Sequence, residues 1–278
     1  MRFVLTALLW LVTTIALAAA VSAAWVQRNV VDVDGYATLA QSAAHDPALQ
    51  DAMASELTTQ VLTIVRNRGY AVSAGVVGGI AAAYTASPSF PGQFDQANRI
   101  AHRWLFTDSA RRSADGWVVD LAPMLSDTSF QRTLGSLDIQ LPSQVTVPVT
   151  ITGGLRPGQL RPLAIWAPWL SIGCAVLTAL LGLLTLASAR RRGQALAAIG
   201  VSALLVGGVG WAALEVARGR INDALDHTGG DVRRVAEVMV GHALNGMHQW
   251  LNLTLAAGGV LVVFGIMITM IGGMRRRD

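Results

Sequence analysis

The sequence contains no lysine, a single cysteine and few charged residues of any kind. Charged residues make up 14% of the 278 residues, whereas 53% are hydrophobic. A soluble protein of this size normally carries about a quarter charged residues, so the composition predicts a membrane protein. All 21 basic residues are arginine, which indicates a GC-rich bacterial genome rather than a nucleic-acid-binding surface as the origin of the net charge of +4.

The lone cysteine, Cys174, lies in an apolar segment and has no second cysteine to pair with. An intrachain disulfide and a cysteine-based metal site are therefore excluded. Any domain outside the membrane must be held together by its hydrophobic core.

The hydrophobic residues are concentrated in four segments, each long enough to cross a bilayer as a helix. Transmembrane helices are predicted at residues 1–26, 164–189, 195–217 and 250–274. The first segment has Arg2 before its apolar run and small residues near Ala23, so a cleaved signal peptide is the alternative to an anchor. Its apolar length exceeds that of an ordinary signal peptide, which favours the anchor.

Arginine clusters predict the orientation of these helices. Arg190, Arg191 and Arg192 follow the second segment, and Arg275, Arg276 and Arg277 follow the fourth. Arginine next to a span marks its cytoplasmic end, so residues 190–194 are predicted to be a cytoplasmic turn and residues 275–278 a cytoplasmic tail. Residues 27–163 and 218–249 are then extracytoplasmic. The predicted location is a bacterial plasma membrane, with both termini in the cytoplasm.

The outer segments are close to neutral. Residues 27–163 contain ten arginines and eleven acidic residues, and residues 218–249 contain four of each. The excess positive charge is therefore predicted to lie in the short cytoplasmic pieces, where it reports topology and not an acidic partner.

The longer outer segment is large enough for one folded domain. Asp46 and Pro47 predict a helix start, and apolar residues at helical spacing extend that helix over about 20 residues. Residues 116–121 and 139–151 have the β-branched and alternating pattern of strands. The predicted fold is a mainly α membrane protein with four transmembrane helices and a helix-rich α+β extracytoplasmic domain with a minor β element. Residues 218–249 are predicted to be a second, helical outer segment.

No motif for catalysis or cofactor binding is present. The chain lacks a G-x-S-x-G elbow, an H-E-x-x-H pair, a Walker loop and a Rossmann fingerprint. His242 and His248, with His227 or Asp226, contain the atoms of an acceptable zinc set, but their spacing matches no recognised ligand pattern. No catalytic, cofactor-binding or metal-binding residue is predicted, and the protein is predicted not to be an enzyme.

The apolar segments also lack the buried charged residues that would line a route for ions across the membrane. Glu215 is the only acidic residue in an apolar segment, near its predicted outer end and three residues from Arg218. We interpret it as part of an interfacial ion pair, which argues against a self-contained transporter.

Glycines recur every seven residues on two of the predicted spans. Gly200 and Gly207 lie on the third, and Gly258, Gly265 and Gly272 lie on the fourth. Small residues on one stripe allow helix backbones to approach closely, so these glycines are predicted to pack helices together within the chain. Self-association and chance are the alternatives.

Short motifs along most of the chain resemble a group of actinobacterial, mycobacterial-type integral membrane proteins. These motifs are 46–50 (Asp-Pro-Ala-Leu-Gln), 119–123 (Val-Asp-Leu-Ala-Pro), Leu141-Pro142, and 167–170 (Ala-Pro-Trp-Leu) ahead of the arginine cluster. The resemblance implies a membrane location and one large extracytoplasmic domain, with the first span retained as an anchor.

Two functions remain in view. The first is a non-enzymatic scaffold or accessory subunit of the cell envelope that binds partners through the extracytoplasmic domain. The alternative is a lipid-handling or transport-complex subunit, which an apolar groove beside the outer helices would favour. An envelope hydrolase is a third hypothesis, which the sequence supports least. The predicted partners are membrane lipid, envelope proteins or a second copy of the chain, and not nucleic acid.

Overall fold

The computed structural model describes residues 2–67, 72–107, 118–120, 146–148, 158–189, 192–225 and 230–274. Within these ranges the chain forms helices α1 (Arg2–Val26), α2 (Val33–Ala43), α3 (Pro47–Asn67), α4 (Ala74–Thr85), α5 (Phe90–Phe106), α6 (Arg161–Ser188), α7 (Arg192–Leu225) and α8 (Gly230–Met274). A π-helical turn, Gln27–Val31, follows α1 directly. Strands β1 (Val118–Asp120) and β2 (Thr146–Pro148) pair antiparallel.

The chain divides into two compact units. The membrane unit comprises Met1–Arg28, Ile165–Gly219 and Leu244–Asp278. The head unit comprises Asn29–Ala164 and Arg220–Ala243. Helices α1, α6, α7 and α8 supply the membrane unit, and α2 to α5 with the first part of α8 supply the helices of the head unit.

The α+β class predicted for the outer domain is wrong. The described residues outside the paired strands are almost entirely helical, and each strand has only three residues. Of residues 139–151, which have the alternating pattern, Thr146–Pro148 pair with Val118–Asp120, and the others lie outside the described residues. Since each strand of this ribbon has only three residues, the described part of the head unit is helical apart from the ribbon.

Four helices have the length and composition of membrane spans. They cover Ala7–Val31, Arg161–Ser188, Arg192–Leu225 and Gly230–Ile271. Among the described residues, every large apolar side chain that is exposed lies in α1, α6, α7 or α8, apart from Val76. A lipid environment makes such a distribution on helices of this length favourable, whereas large exposed apolar surfaces are rare on soluble monomers. The protein is a multi-pass membrane protein.

Two of these helices extend beyond the predicted spans. Helix α7 begins at Arg192 and continues to Leu225, and α8 begins at Gly230, whose φ of +63° lies in the left-handed region that glycine tolerates. The segment predicted as a separate outer piece at residues 218–249 is therefore mostly the continuation of α7 and α8. A helix of 45 residues is about 67 Å long, roughly twice what the hydrocarbon core requires.

The core of the head unit lies between α2, α3, α4 and α5. Helix α3 begins at Pro47 as predicted, and the Asp46 carboxylate accepts a hydrogen bond from the Ala48 N–H at 2.9 Å. Its buried face carries Leu49 and Leu57, which pack with Phe90 in one cluster. Partly buried apolar residues of α8 also pack against this cluster, among them Val235, Val238 and Met239.

Candidate functional site

An open groove with a volume of about 440 Å³ lies in the head unit. Its walls come from the π-helical turn and from α2, α3, α5 and α8. Fourteen described residues line it: Asn29, Val30, Tyr36, Leu39, Met53, Phe94, Ala97, Asn98, Ala101, Val235, Ala236, Met239, Val240 and Ala243. None of these side chains is charged, and only three are polar, so the groove is an apolar site with one small polar component.

The groove exists because two helix faces are lined with small residues. On α5, Ala97 and Ala101 lie on the same face as Phe94, and on α8, Ala236 and Ala243 flank Met239. Each alanine leaves volume that a leucine at the same position would fill. The sequence shows both apolar faces, but their meeting around an unfilled space depends on tertiary packing.

Tyr36 and Asn98 form a hydrogen-bonded pair in the polar part of the lining, which also includes Asn29. The Tyr36 hydroxyl donates a hydrogen bond to the Asn98 side-chain oxygen at 3.2 Å, and the Asn98 amide donates to the Phe94 carbonyl at 2.9 Å. Burial raises the pKa of the Tyr36 phenol. The phenol is therefore neutral at physiological pH and acts as a hydrogen-bonding group.

His102 is hydrogen-bonded to the π-helical turn that forms part of the groove wall. Its side chain is 5% exposed, and its Nε2–H donates to the Val30 carbonyl oxygen at 2.9 Å. The ring stacks on Phe106 with centroids 4.2 Å apart and lies 5.2 Å from the Tyr36 ring. A π-helical turn shifts the backbone out of the usual hydrogen-bond pattern, and such turns are frequent at functional sites. His102 supplies the partner that the Val30 carbonyl needs.

Replacing His102 by leucine should destabilise the protein by about 2 kcal/mol, because the part-buried Val30 carbonyl loses the hydrogen bond that the buried His102 ring donates. The measurement is thermal unfolding of the detergent-solubilised protein. His45→Leu is the matched control, since the His45 imidazole is exposed and contacts only the Gln41 carbonyl in its own helix region. Equal shifts in the two variants would show that the His102 hydrogen bond contributes nothing.

The guanidinium of Arg99, the residue after Asn98, forms ion pairs with two carboxylates. The Arg99 guanidinium lies 2.5 Å from the Asp34 carboxylate and 3.0 Å from that of Asp95. The hydrogen bonds that Arg99 donates to Asp34 and, to a smaller extent, to Asp95 raise the pKa of Arg99. The Arg99 guanidinium is thus already matched by two anions, and Arg99 does not line the groove.

The predicted packing glycines lie at the α7–α8 contact of the membrane unit. A Cβ atom added to Gly200 would lie 2.7 Å from the Gly258 carbonyl oxygen, and one added to Gly258 would lie 2.8 Å from the Gly200 oxygen. One added to Gly265 would lie 2.5 Å from the Ala197 nitrogen. Real Cβ contacts are longer, so these positions accept only glycine at the present helix separation.

Other glycines extend or qualify that stripe. A Cβ at Gly207 would overlap the Leu255 side chain, whereas Gly272 lies outside the residues whose surroundings are described. Gly193 and Gly210, which the sequence interpretation did not single out, also contact α8. Gly193 continues the seven-residue repeat at the start of α7 but fell within the predicted turn, so its role was missed.

The described structure does not bring the other residues singled out in the sequence together into one site. Arg192 is exposed at the start of α7, and the other five cluster arginines lie outside the described residues. Glu215 and Arg218 are both exposed, and in the described chain no ion pair joins them. His242 hydrogen-bonds the Val238 carbonyl in its own helix, and His248 packs on the Trp211 ring at 4.0 Å. The described residues contain no group of three or more metal-ligating side chains.

The groove is suited to binding. Tyr36 is the only ionisable side chain in its described lining, and it faces an amide partner. An apolar wall with a few hydrogen-bonding groups is the usual form of a site for a small apolar ligand. Comparison with protein families, with curated proteins and with solved structures finds no match to this chain.

Proposed function

We propose that this protein is a lipid-handling membrane protein whose head unit holds the apolar chain of one lipid in the groove. The observation that carries the proposal is the groove itself: about 440 Å³ of space with no charged side chain among its described lining residues. That volume lies within the usual range for small-molecule sites. An apolar surface left open to water is unfavourable, which is why an apolar ligand gains by covering it.

The chain path also favours lipid. Asn29 and Val30 belong to the candidate span Ala7–Val31, and Ala243 belongs to α8, which contains the fourth span. The groove is therefore built partly from segments that continue into the membrane along the chain. These segments are apolar along the chain, which supports a lipid ligand.

A scaffold or accessory role, the first function predicted from the sequence, needs an exposed face that a protein partner recognises. In the described part of the head unit, only Val76, Leu163 and Val232 are large apolar residues that are exposed. Interface centres are usually rich in aromatic and other large apolar side chains. The groove therefore supports lipid handling better than it supports scaffolding. The proposal includes an orientation with both termini in the cytoplasm and the head outside a bacterial plasma membrane. It also includes the resemblance to actinobacterial membrane proteins.

Photolabelling tests this function. The full chain is reconstituted in nanodiscs with a diazirine-bearing acylglycerol, irradiated and digested, and the labelled peptides are identified by mass spectrometry. We expect labels on the spans from surrounding lipid and on the groove peptides of α5 and the first part of α8. Met239→Trp, which fills the groove, should reduce the groove label about tenfold or more while leaving the span label unchanged.

Met267→Trp is the matched control, because Met267 lies on the same helix and is 50% exposed. It should leave the groove label intact. Ala236→Phe serves as a second filling variant, and each variant is accepted only if its unfolding midpoint matches that of the wild type. A groove that takes no label, or a label that both filling variants leave unchanged, would overturn the proposal.

A further inference from the structure

We infer that the lipid held in this groove is uncharged and carries a hydroxyl group, and that Tyr36 and Asn98 recognise that hydroxyl. The inference rests on the proposed function, which it sharpens by naming the class of ligand. Its basis is the charge of the lining and the hydrogen-bonding capacity that the Tyr36–Asn98 pair retains.

An anionic lipid end has no counter-charge in the groove. None of the described lining residues is charged, and the adjacent Arg99 guanidinium is engaged by Asp34 and Asp95. Transferring a carboxylate from water to a site without a cation is strongly unfavourable, even when some hydrogen bonds remain. Fatty acids and phosphate-bearing ends are therefore poor ligands for this part of the site.

Once the hydrogen bonds of the Tyr36 hydroxyl and of the Asn98 amide are made, the pair still has unused hydrogen-bond donors and acceptors. The Tyr36 hydroxyl uses its only proton on the Asn98 oxygen, so the Tyr36 oxygen can still accept. The Asn98 amide uses one proton on the Phe94 carbonyl, which leaves its second N–H and a lone pair on its oxygen. The pair thus offers two acceptor sites and one donor.

A hydroxyl complements that set better than other lipid ends do. It donates its proton to the Tyr36 or Asn98 oxygen and accepts from the Asn98 N–H. A carboxylate only accepts, so it would meet one donor and two oxygen lone pairs that repel it. An alkyl end would leave the pair without a ligand partner, but without repulsion. The structure therefore ranks a long-chain alcohol or partial acylglycerol above an alkane, and an alkane above a carboxylate.

Two probes of equal length test the ranking. Hexadecan-1-ol and hexadecanoic acid, each with a diazirine at the same mid-chain carbon, are offered separately to the full chain in nanodiscs at pH 9, where the acid is ionised. Labelling of the groove peptides is divided by labelling of the span peptides, which corrects for partition into the bilayer. We expect the alcohol to exceed the acid by about tenfold in this ratio.

Ala101→Lys provides a gain of function. Ala101 lines the groove one turn after Asn98, so a lysine there places a cation beside the polar pair. The variant should raise acid labelling in the groove by about tenfold and reverse the preference. Ala83→Lys, on the exposed face of α4, adds the same charge outside the groove and should leave the preference unchanged.

The Asn98→Leu variant distinguishes recognition of the ligand hydroxyl from the space that the groove offers to the chain. It should reduce alcohol labelling to about the level of a diazirine-bearing hexadecane, while the alkane itself still labels the groove. Equal labelling by alcohol and acid in the wild type, or an Ala101→Lys variant that folds and keeps the wild-type preference, would overturn the inference and leave the lipid groove standing. Absence of groove label with all three probes would instead overturn the proposed function.

Discussion

Replacing Gly258 by leucine should lower the unfolding midpoint of the detergent-solubilised protein by about 6–12 °C. The added Cβ would lie 2.8 Å from the Gly200 carbonyl oxygen and 2.9 Å from the Leu204 backbone nitrogen. Backbone atoms of a neighbouring helix cannot turn aside as a flexible side chain does, so α7 and α8 must separate. Overpacking of this kind costs about 3 kcal/mol, which corresponds to the stated shift for a protein of this size.

Gly259→Leu is the control, because it makes the same substitution at the next residue of α8. A Cβ at Gly259 has no heavy atom within 4 Å. Leucine is the better helix former by about 0.8 kcal/mol, so this variant should equal or slightly exceed the wild type in stability. Opposite shifts in neighbouring variants would attribute the effect to the helix contact. A common shift would show that the glycine stripe does not hold α7 against α8.

Polar side chains complete the packing of the membrane unit. The Trp10 indole donates to the Ala198 carbonyl at 3.0 Å, and the Thr14 hydroxyl donates to the Ser202 hydroxyl at 2.8 Å. Ser202 is fully buried. Since lipid removes the hydrophobic drive between spans, such bonds and close backbone contacts are what associate them. Glycine spacing and scattered Ser and Thr are visible in the sequence, but which helix they face is not.

The parts of the fold that local chemistry determines could be predicted from the sequence. Hydropathy identifies the four spans, and Asp46 with Pro47 locates the start of α3. The end of α7 could not be predicted in the same way. Residues 218–225 are predicted to belong to a separate, helical outer segment, whereas in the structure they continue α7 to Leu225, since no proline interrupts the helix.

The groove could not be predicted, for a different reason. The sequence shows amphipathic faces around Leu39, Phe94 and Met239, and each alone is what a core-facing helix needs. Whether such faces close on one another or leave a space depends on a few alanine positions and on the angle at which helices meet. The sequence shows that Arg99 can pair with Asp95 four residues earlier in the same helix, but its second partner, Asp34, is brought to it only by the fold.

Replacing Phe90 by alanine should destabilise the head unit by about 4 kcal/mol, the usual cost of deleting a buried aromatic ring. Phe90 is completely buried, and its ring centroid lies 5.7 Å from those of both Tyr84 and Phe94. Loss of the ring removes contacts with two elements at once and leaves a cavity that helices α4 and α5 cannot close without moving. Thermal unfolding and limited proteolysis of the purified protein measure the effect.

Phe264→Ala is the matched control, since Phe264 is 55% exposed on α8 in the membrane unit and its ring packs little within the chain. It should change stability by less than about 1 kcal/mol in detergent. Because Phe90 supports Phe94, which lines the groove, Phe90→Ala should also reduce lipid labelling of the groove peptides, whereas Phe264→Ala should not. A Phe90→Ala protein that keeps both its resistance to proteolysis and its groove label would show that the cluster around Phe90 does not support the groove wall.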